Sequence, residues 1–132
     1  MGQTFHFLKN CGVFFVSTCD GGFPSTRPFG AVMESHGRLY LSTGTEKDVY
    51  RQMKSNPNIQ IVALKGGTRE WLRLNGRAVE THDLALKRTM LAECPALVKR
   101  FGSEHCPSFA LFEIETVQAR LYTDEGILDL PD

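Results

Sequence analysis

The order of apolar and polar positions along the chain predicts short strands separated by short helices. Residues 12–19 are aromatic and β-branched with few polar positions, which is typical of a buried strand. Residues 69–80 alternate instead, so that Trp71 and Arg73 lie on one face and the neighbouring leucines on the other. Gly76, within this second segment, is expected to mark a bulge.

Six strands are expected in total, over residues 12–19, 23–34, 38–43, 58–65, 69–80 and 108–122. Glycine-containing turns at 20–22, 36–37 and 66–67 connect the earlier strands. Strands joined by such turns pair antiparallel, and a sheet with open edges is prone to aggregation. The sequence therefore predicts a mainly β fold: a six-stranded antiparallel barrel with peripheral helices, forming one domain over residues 1–132.

Three or four short helices complete the predicted fold. Residues 2–11 form an amphipathic helix, and Thr45 is placed to cap a helix over 46–55. Further helical segments are expected between residues 83 and 101, interrupted by a proline. The acidic tail, residues 123–132, is expected to become ordered only against a partner subunit.

Residues 24–47 concentrate the chemistry that binds anions, and they are interpreted as a tight hairpin. Its first strand carries Arg27 beside Pro28. Its second strand ends in hydroxyl groups and a glycine, followed by a lysine at the start of a helix: Ser42, Thr43, Gly44, Thr45 and Lys47. Hydroxyls, cations and a helix N-terminus together indicate a phosphate site, and hence a phosphorylated cofactor or substrate.

Composition limits the function without identifying it. The 132 residues include 15 Lys and Arg against 15 Asp and Glu, so the formal net charge is zero, whereas general nucleic-acid binders are basic. The four cysteines lack zinc-ligand spacing, so reduced thiols are expected and no metal site is predicted. No apolar leader or membrane-length segment is visible, which favours a cytoplasmic protein without membrane contact.

Each candidate residue also has a purely structural interpretation. Arg27 could pair with a carboxylate on the barrel exterior, and Lys47 could be a solvated lysine of the first helical turn. Thr43 and Thr45 could serve only as capping hydroxyls. Trp71 could be a core or interface aromatic residue instead of a cofactor contact.

The order of these motifs resembles the pyridoxamine 5′-phosphate oxidase-like family of FMN-binding split β-barrels. The resemblance rests on the Arg-Pro-Phe of strand 23–34 and on the segment 37–47 with its Ser-Thr and lysine. It also includes the Asn-Pro after the helix and the segment WLRLNG at 71–76. It covers residues 5–122, nearly the whole chain.

The resemblance implies a homodimer with one FMN in each of two clefts between the subunits. Matching the family's positions assigns the FMN phosphate to Arg27, Thr43 and Lys47, with Ser42 or Thr45 beside Thr43. Pro28 and Phe29 would run along the flavin ring, and the partner's long strand would contribute Trp71 to Arg73. The assigned cofactor-binding residues are therefore Arg27, Pro28, Phe29, Ser42, Thr43, Thr45, Lys47, Trp71 and Arg73.

The function implied is that of an FMN-dependent oxidoreductase with a small-molecule substrate. No protein nucleophile or base is assigned, because flavin carries the redox chemistry. The chain looks closer to the small flavin reductases and nitroimidazole-resistance-like proteins of the family than to its vitamin-processing oxidases. Pyridoxamine 5′-phosphate is expected to be a poor substrate, because no C-terminal Trp and Arg segment and no second cationic site are apparent.

Two other classes of function stay open at this point. A heme-binding or heme-degrading protein on a related barrel would need an axial histidine, for which His82 or His105 is available. A non-enzymatic small-barrel binding module, including one for nucleic acid, would need exposed aromatic and basic residues. Within the flavin interpretation, a deazaflavin could also replace FMN.

Overall fold

The computed structural model describes residues 2–131, and strands form just under half of them. The strands are β1 (Phe14–Asp20), β2 (Phe23–Phe29), β3 (Met33–Ser35), β4 (Arg38–Gly44), β5 (Asn58–Leu64), β6 (Trp71–Thr81), β7 (Phe109–Thr123) and β8 (Gly126–Leu130). The helices are α1 (Gln3–Cys11), α2 (Asp48–Ser55), α3 (Leu84–Glu93) and α4 (Ala96–Phe101).

All strands belong to one antiparallel sheet in the order β2-β1-β5-β6-β7-β4-β3, with β8 paired to the C-terminal part of β7. The two ends of this order, β2 and β3, do not pair with each other among the described residues. The sheet is therefore curled but not closed, as in a split barrel. The predicted mainly β antiparallel fold is confirmed, although the sheet has eight strands and not six.

The prediction of a single strand over 23–34, and of a tight hairpin over 24–47, is wrong. The segment divides into β2, which pairs with β1, and β3, which pairs with β4. Residues 30–32 carry the chain from one end of the sheet to the other. The strands bearing Arg27 and Thr43 are therefore not hairpin neighbours, and they meet only because the sheet curls.

Two local predictions also need correction. Thr45 is not a cap, because α2 begins at Asp48 with Lys47 at the N-cap position and no capping side chain. The tail does not depend on a partner for its order: β8 pairs with β7 of the same chain, from Ala119 to Thr123. Asp132, the last tail residue, lies outside the described residues.

The bulge predicted at Gly76 is confirmed by a shift in the β6–β7 register between Asn75 and Gly76. A Cβ atom at Gly76 would lie 2.8 Å from the carbonyl oxygen of Glu115, so only glycine allows the two strands this approach. The predicted faces of β6 are also confirmed. Leu72 and Leu74 are fully buried, whereas the alternate positions are half-buried.

The apolar side chains form two clusters. The larger cluster fills the barrel between the sheet, α1 and α2, and includes Leu8, Phe14, Met53 and Phe112. The smaller packs α3 and α4 against the outside of β4 and β7. Within residues 2–131, no helix is both long and apolar enough to cross a membrane.

Candidate functional site

A cavity of about 560 Å³ lies between the ends of β2 and β4, on the side where the sheet is open between its edge strands β2 and β3. Its volume falls within the range of about 300–1,000 Å³ that small-molecule sites occupy. The end of β2, the end of β4, the start of α2 and the corner between α3 and α4 form its walls. Its lining includes Lys9, Arg27, Pro28, Phe29, Gly30, Ala31, Ser42, Thr43, Lys47, Val49, Glu93, Cys94, Leu97 and Arg100.

The charge of this cavity is strongly unbalanced, although the chain as a whole is neutral. Four cations line it, against the single carboxylate of Glu93. Lys9, Arg27, Lys47 and Arg100 come from α1, β2, the start of α2 and α4, so they are distant in sequence. A positive cleft with partly apolar walls concentrates anions.

Arg27 extends inward from β2, and every acceptor of its guanidinium is neutral. Its terminal nitrogens donate to Thr18 Oγ1 and Gln52 Oε1, both at 2.7 Å, and to Ser25 Oγ at 2.8 Å. No carboxylate among the described residues lies within ion-pair distance of it. Burial lowers the pKa of Arg27, and Asp48 and Asp20 partly oppose this from farther away. The alternative interpretation of Arg27, a pair with a carboxylate on the barrel exterior, therefore finds no partner among the described residues, and the cation is uncompensated.

Ser42 supplies the second unusual feature of the cavity. Its side chain is 8% exposed, and its Oγ has no hydrogen-bond partner within the described residues. A buried hydroxyl without a partner destabilises a protein by about 1–3 kcal/mol. Ser42 is among the residues that line the cavity, next to Thr43.

The rim near α2 contains one ion pair and one unpaired cation. Arg100 donates to Glu46 at 3.0 Å, which connects α4 to the loop before α2. A Cβ atom at Gly44 would contact the side-chain ends of this pair, so a larger residue there would displace the two side chains. Lys47 has no ion pair among the described residues, and its cationic side chain stands at the N-terminus of α2, where an anion is favourable.

The structure brings six of the nine sequence-predicted residues into one cavity: Arg27, Pro28, Phe29, Ser42, Thr43 and Lys47. The other three lie elsewhere. Thr45 belongs to the loop after β4, where its backbone N–H donates to the Ser108 carbonyl. Trp71 and Arg73 lie on the outer face of β6 and do not line the cavity of their own chain.

On that outer face, the Trp71 and Tyr122 rings stack with centroids 4.1 Å apart. The Arg73 guanidinium lies over the Trp71 ring at 4.9 Å and donates to the Tyr122 hydroxyl at 3.3 Å. Cross-strand register places Arg73 beside Val62, Val62 beside Phe15, and Phe15 beside the cavity residue Pro28. An exposed, partly aromatic surface therefore runs from Arg73 to the cavity.

Sequence reasoning missed Lys9, Arg100 and the α3–α4 corner. In the sequence, Arg100 is only one half of a basic pair with Lys99, which is typical of a solvated helix face, whereas in the structure it lines the cavity. Nothing local distinguishes these residues, because they reach the cavity only through the packing of α1 and α4. Their presence also removes one ground for expecting pyridoxamine 5′-phosphate to be a poor substrate, since cations beyond Arg27 and Lys47 do line the site.

Comparison with solved structures finds proteins of the same fold. A NimC/NimA family protein from Clostridium acetobutylicum is 29% identical, with a TM-score of 0.90 over 97% of this chain and 89% of that one. A pyridoxamine 5′-phosphate oxidase-related, FMN-binding protein from Nostoc punctiforme is 19% identical, with a TM-score of 0.74 over 92% and 80%. General Stress Protein 26 from Bacillus anthracis is 17% identical, with a TM-score of 0.77 over 95% and 94%.

None of the curated proteins compared matches the chain. The sequence profile described as pyridoxamine 5′-phosphate oxidase matches residues 2–123. This match spans every strand from β1 to β7, including all the residues that line the cavity. The resemblance noted from the motifs is thus confirmed: the chain belongs to the pyridoxamine 5′-phosphate oxidase family.

Proposed function

We propose that this protein binds FMN in the cavity between β2 and β4 and acts as an FMN-dependent oxidoreductase. The observation that carries the proposal is the coincidence of an uncompensated Arg27 and an unpartnered, buried Ser42 hydroxyl in one cavity. Both are unfavourable in a protein that binds nothing there. A phosphate group would compensate the charge of Arg27, and it would accept a hydrogen bond from Ser42 once that side chain rotates towards the cavity.

The phosphate is assigned to the end of the cavity where Arg27, Ser42, Thr43 and Lys47 lie. Lys47 also sits at the helix N-terminus, where a bound anion would offset the repulsion between its ammonium and the helix dipole. Thr45, which lies outside the cavity lining, is not included in this assignment.

The remaining wall suits a flat aromatic ring. Phe29 packs against Phe14 with ring centroids 6.3 Å apart, and Pro28, Ala31 and Val49 add apolar surface. When bound, FMN would supply hydride or electron transfer, and the chain would position it and exclude water from it. Backbone N–H groups near residues 29–31 and the lysines of the cavity are the donors available to the ring.

A homodimer is proposed on the surface between Arg73 and the cavity. Its exposed apolar residues include Phe15, 46% exposed, and Leu64, 61% exposed, beside the Trp71–Tyr122 stack. Docking of this surface against a second copy would bring Trp71 and Arg73 of the partner subunit towards the cavity, as the family resemblance implies. Sedimentation should then show a dimer at micromolar concentration, and a stable monomer would contradict the proposal.

The heme alternative receives no support from the cavity. None of its lining residues is a histidine, within the part of the chain described. His82 is exposed and lies beyond β6, and the His105 side chain is 70% exposed beside Glu104. An axial imidazole would therefore have to come from outside this cavity.

The test is the absorbance spectrum and mass of whatever copurifies, followed by titration of the stripped protein. We expect flavin maxima at about 370 and 450 nm and the mass of FMN. We also expect NADH- or NADPH-driven reduction of a quinone, nitro compound or dye. A Soret band, or a protein that takes up neither FMN nor riboflavin, would overturn the proposal.

A further inference from the structure

The hydrogen-bond network around Arg27 is complete without any negative charge. One terminal nitrogen donates to Gln52 Oε1 at 2.7 Å and to Ser25 Oγ at 2.8 Å. The other donates to Thr18 Oγ1 at 2.7 Å, to the Ser25 carbonyl at 3.1 Å and to the Val16 carbonyl at 3.4 Å. The guanidinium is therefore held in one orientation, and none of these contacts neutralises its charge beside the cavity.

Gln52 connects the other members of this network. Its side chain is 3% exposed, and its amide oxygen accepts from both Arg27 and the Thr18 hydroxyl. Thr18 is equally buried, at 2% exposed. Thr18 belongs to β1, Arg27 to β2 and Gln52 to α2. The network therefore connects the strand that carries Arg27 to the helix that Lys47 precedes as the N-cap residue.

A glutamate at position 52 would have nearly the same shape and would bind Arg27 more strongly. Charge-assisted hydrogen bonds are about twice as strong as neutral ones, and a carboxylate here would form an ion pair with the guanidinium. The contact between α2 and β2 therefore does not account for glutamine at this position. What the amide does, and a carboxylate would not, is hold the cation without cancelling its charge.

We propose that Gln52 is a specificity-determining residue: its neutral amide orients Arg27 and keeps it uncompensated, so that the cavity prefers the phosphorylated flavin to riboflavin. The inference rests on the proposed function and adds to it. Gln52 acts through Arg27 and is a positioning residue, not a ligand, since it does not line the cavity. Thr18 has the same neutral character and supports the amide.

The experiment compares Gln52→Glu with the wild type by titrating stripped protein with FMN and, separately, with riboflavin. We expect the FMN dissociation constant to rise about tenfold or more while that of riboflavin stays within about twofold, because only FMN carries the phosphate. Without flavin, the thermal midpoint of the variant should equal or exceed that of the wild type. Gln3→Glu, which makes the same change at an exposed position of α1, is the matched control for binding and should leave both dissociation constants unchanged. Its thermal midpoint should rise slightly, because the new carboxylate lies at the N-terminus of α1.

Gln52→Met provides a second, independent test, because it removes the acceptor without adding charge. Thr18 and Ser25 still hold the guanidinium of Arg27 in this variant, so its preference for FMN over riboflavin should stay within about threefold of the wild-type value. If Gln52→Glu fails to fold, Gln52→Met is the variant that tests whether the charge at position 52 sets the preference. The inference is overturned if Gln52→Glu leaves FMN binding unchanged, if both flavins weaken equally, or if Gln52→Met abolishes the preference. A wild-type protein that binds neither flavin would instead refute the proposed function itself.

Discussion

Helix α2 contacts the sheet through two polar clusters that differ in how their charges are balanced. Towards β6, Lys54 and Tyr50 each lie 2.9 Å from the carboxylate of Glu80 and donate to it. Towards β1 and β2, the partner of Arg27 is the neutral amide of Gln52. The Glu80 cluster is electrically complete within the chain, whereas the Arg27 cluster leaves a positive charge beside the cavity.

The difference separates a contact that only joins α2 to the sheet from one that also prepares a site for a ligand. A half-buried ion is costly unless its charge is paired, and at Glu80 the chain supplies the pair. At Arg27 a pair was equally within reach, since one side chain at position 52 would provide it, yet the charge is left open. A charge that the fold orients but does not neutralise marks the position where an anion is expected.

The largest effect is expected from Arg27→Ala. It removes a charge-assisted contact, so FMN should bind about ten- to a hundredfold more weakly. Riboflavin should bind nearly as before, because it has no phosphate. Thr18 still donates to Gln52 in this variant, so neither buried group loses its only partner. Titration with both flavins measures the effect, and an equal loss for the two would show that Arg27 does not contact the phosphate.

Lys47→Ala should weaken FMN binding less, by about tenfold at most, since the lysine is exposed and partly screened. The loss should shrink further when the titration is repeated in concentrated salt, which separates it from that of Arg27. The nearby Lys54→Ala, on the same helix but paired with Glu80, is the control. Salt-independent weakening by Lys47→Ala would indicate a structural role.

Glu80→Gln should affect stability and not flavin preference. The Glu80 side chain is 7% exposed, and replacing its charge weakens two hydrogen bonds, so unfolding should become easier by about 1 kcal/mol. Chemical denaturation measures this. Glu115→Gln, at an exposed pair whose atoms are 3.9 Å apart, should change nothing measurable. If Glu80→Gln changed the ratio of the FMN and riboflavin dissociation constants, the Glu80 cluster would also affect flavin preference, and the two clusters would not differ in role.

The smallest expected effect is the pH dependence of the stability that Glu80 contributes. Burial alone raises the pKa of Glu80, but hydrogen bonds from Lys54 and Tyr50 outweigh it, and the pKa lies below its ordinary value. The folded state then binds the proton less tightly than the unfolded state, so the stabilisation is present above the ordinary carboxyl pKa of about 4.3 and disappears as pH falls through the folded value.

Denaturation of the wild type and Glu80→Gln at a series of pH values should therefore give stabilities that converge in acid. A difference that stays constant down to the acid transition would show that the Glu80 carboxylate is not held in its charged form. In that case the Glu80 cluster would not be a charge-compensated counterpart of the Arg27 cluster.

The sequence predicted well whatever depends on neighbouring residues. The alternation over 69–80 gave the faces of β6, and the glycine within it gave the bulge. The failures concern short strands. β3 has three residues and β8 has five, which is too few to show a clear alternation, and each is recognised only from its pairing with the neighbouring strand, β4 or β7.

By itself, then, the sequence determined the strand-rich fold, the family and six residues of the cavity, because these follow from periodicity and from motifs a few residues long. Only the tertiary structure decided that the ends of β2 and β4 border one cavity on the open side of the sheet, that Lys9 and Arg100 join them, and that Gln52 holds Arg27. The physical reason is that charge balance depends on three-dimensional proximity. Whether a cation is compensated depends on which side chains folding brings within about 3 Å of it.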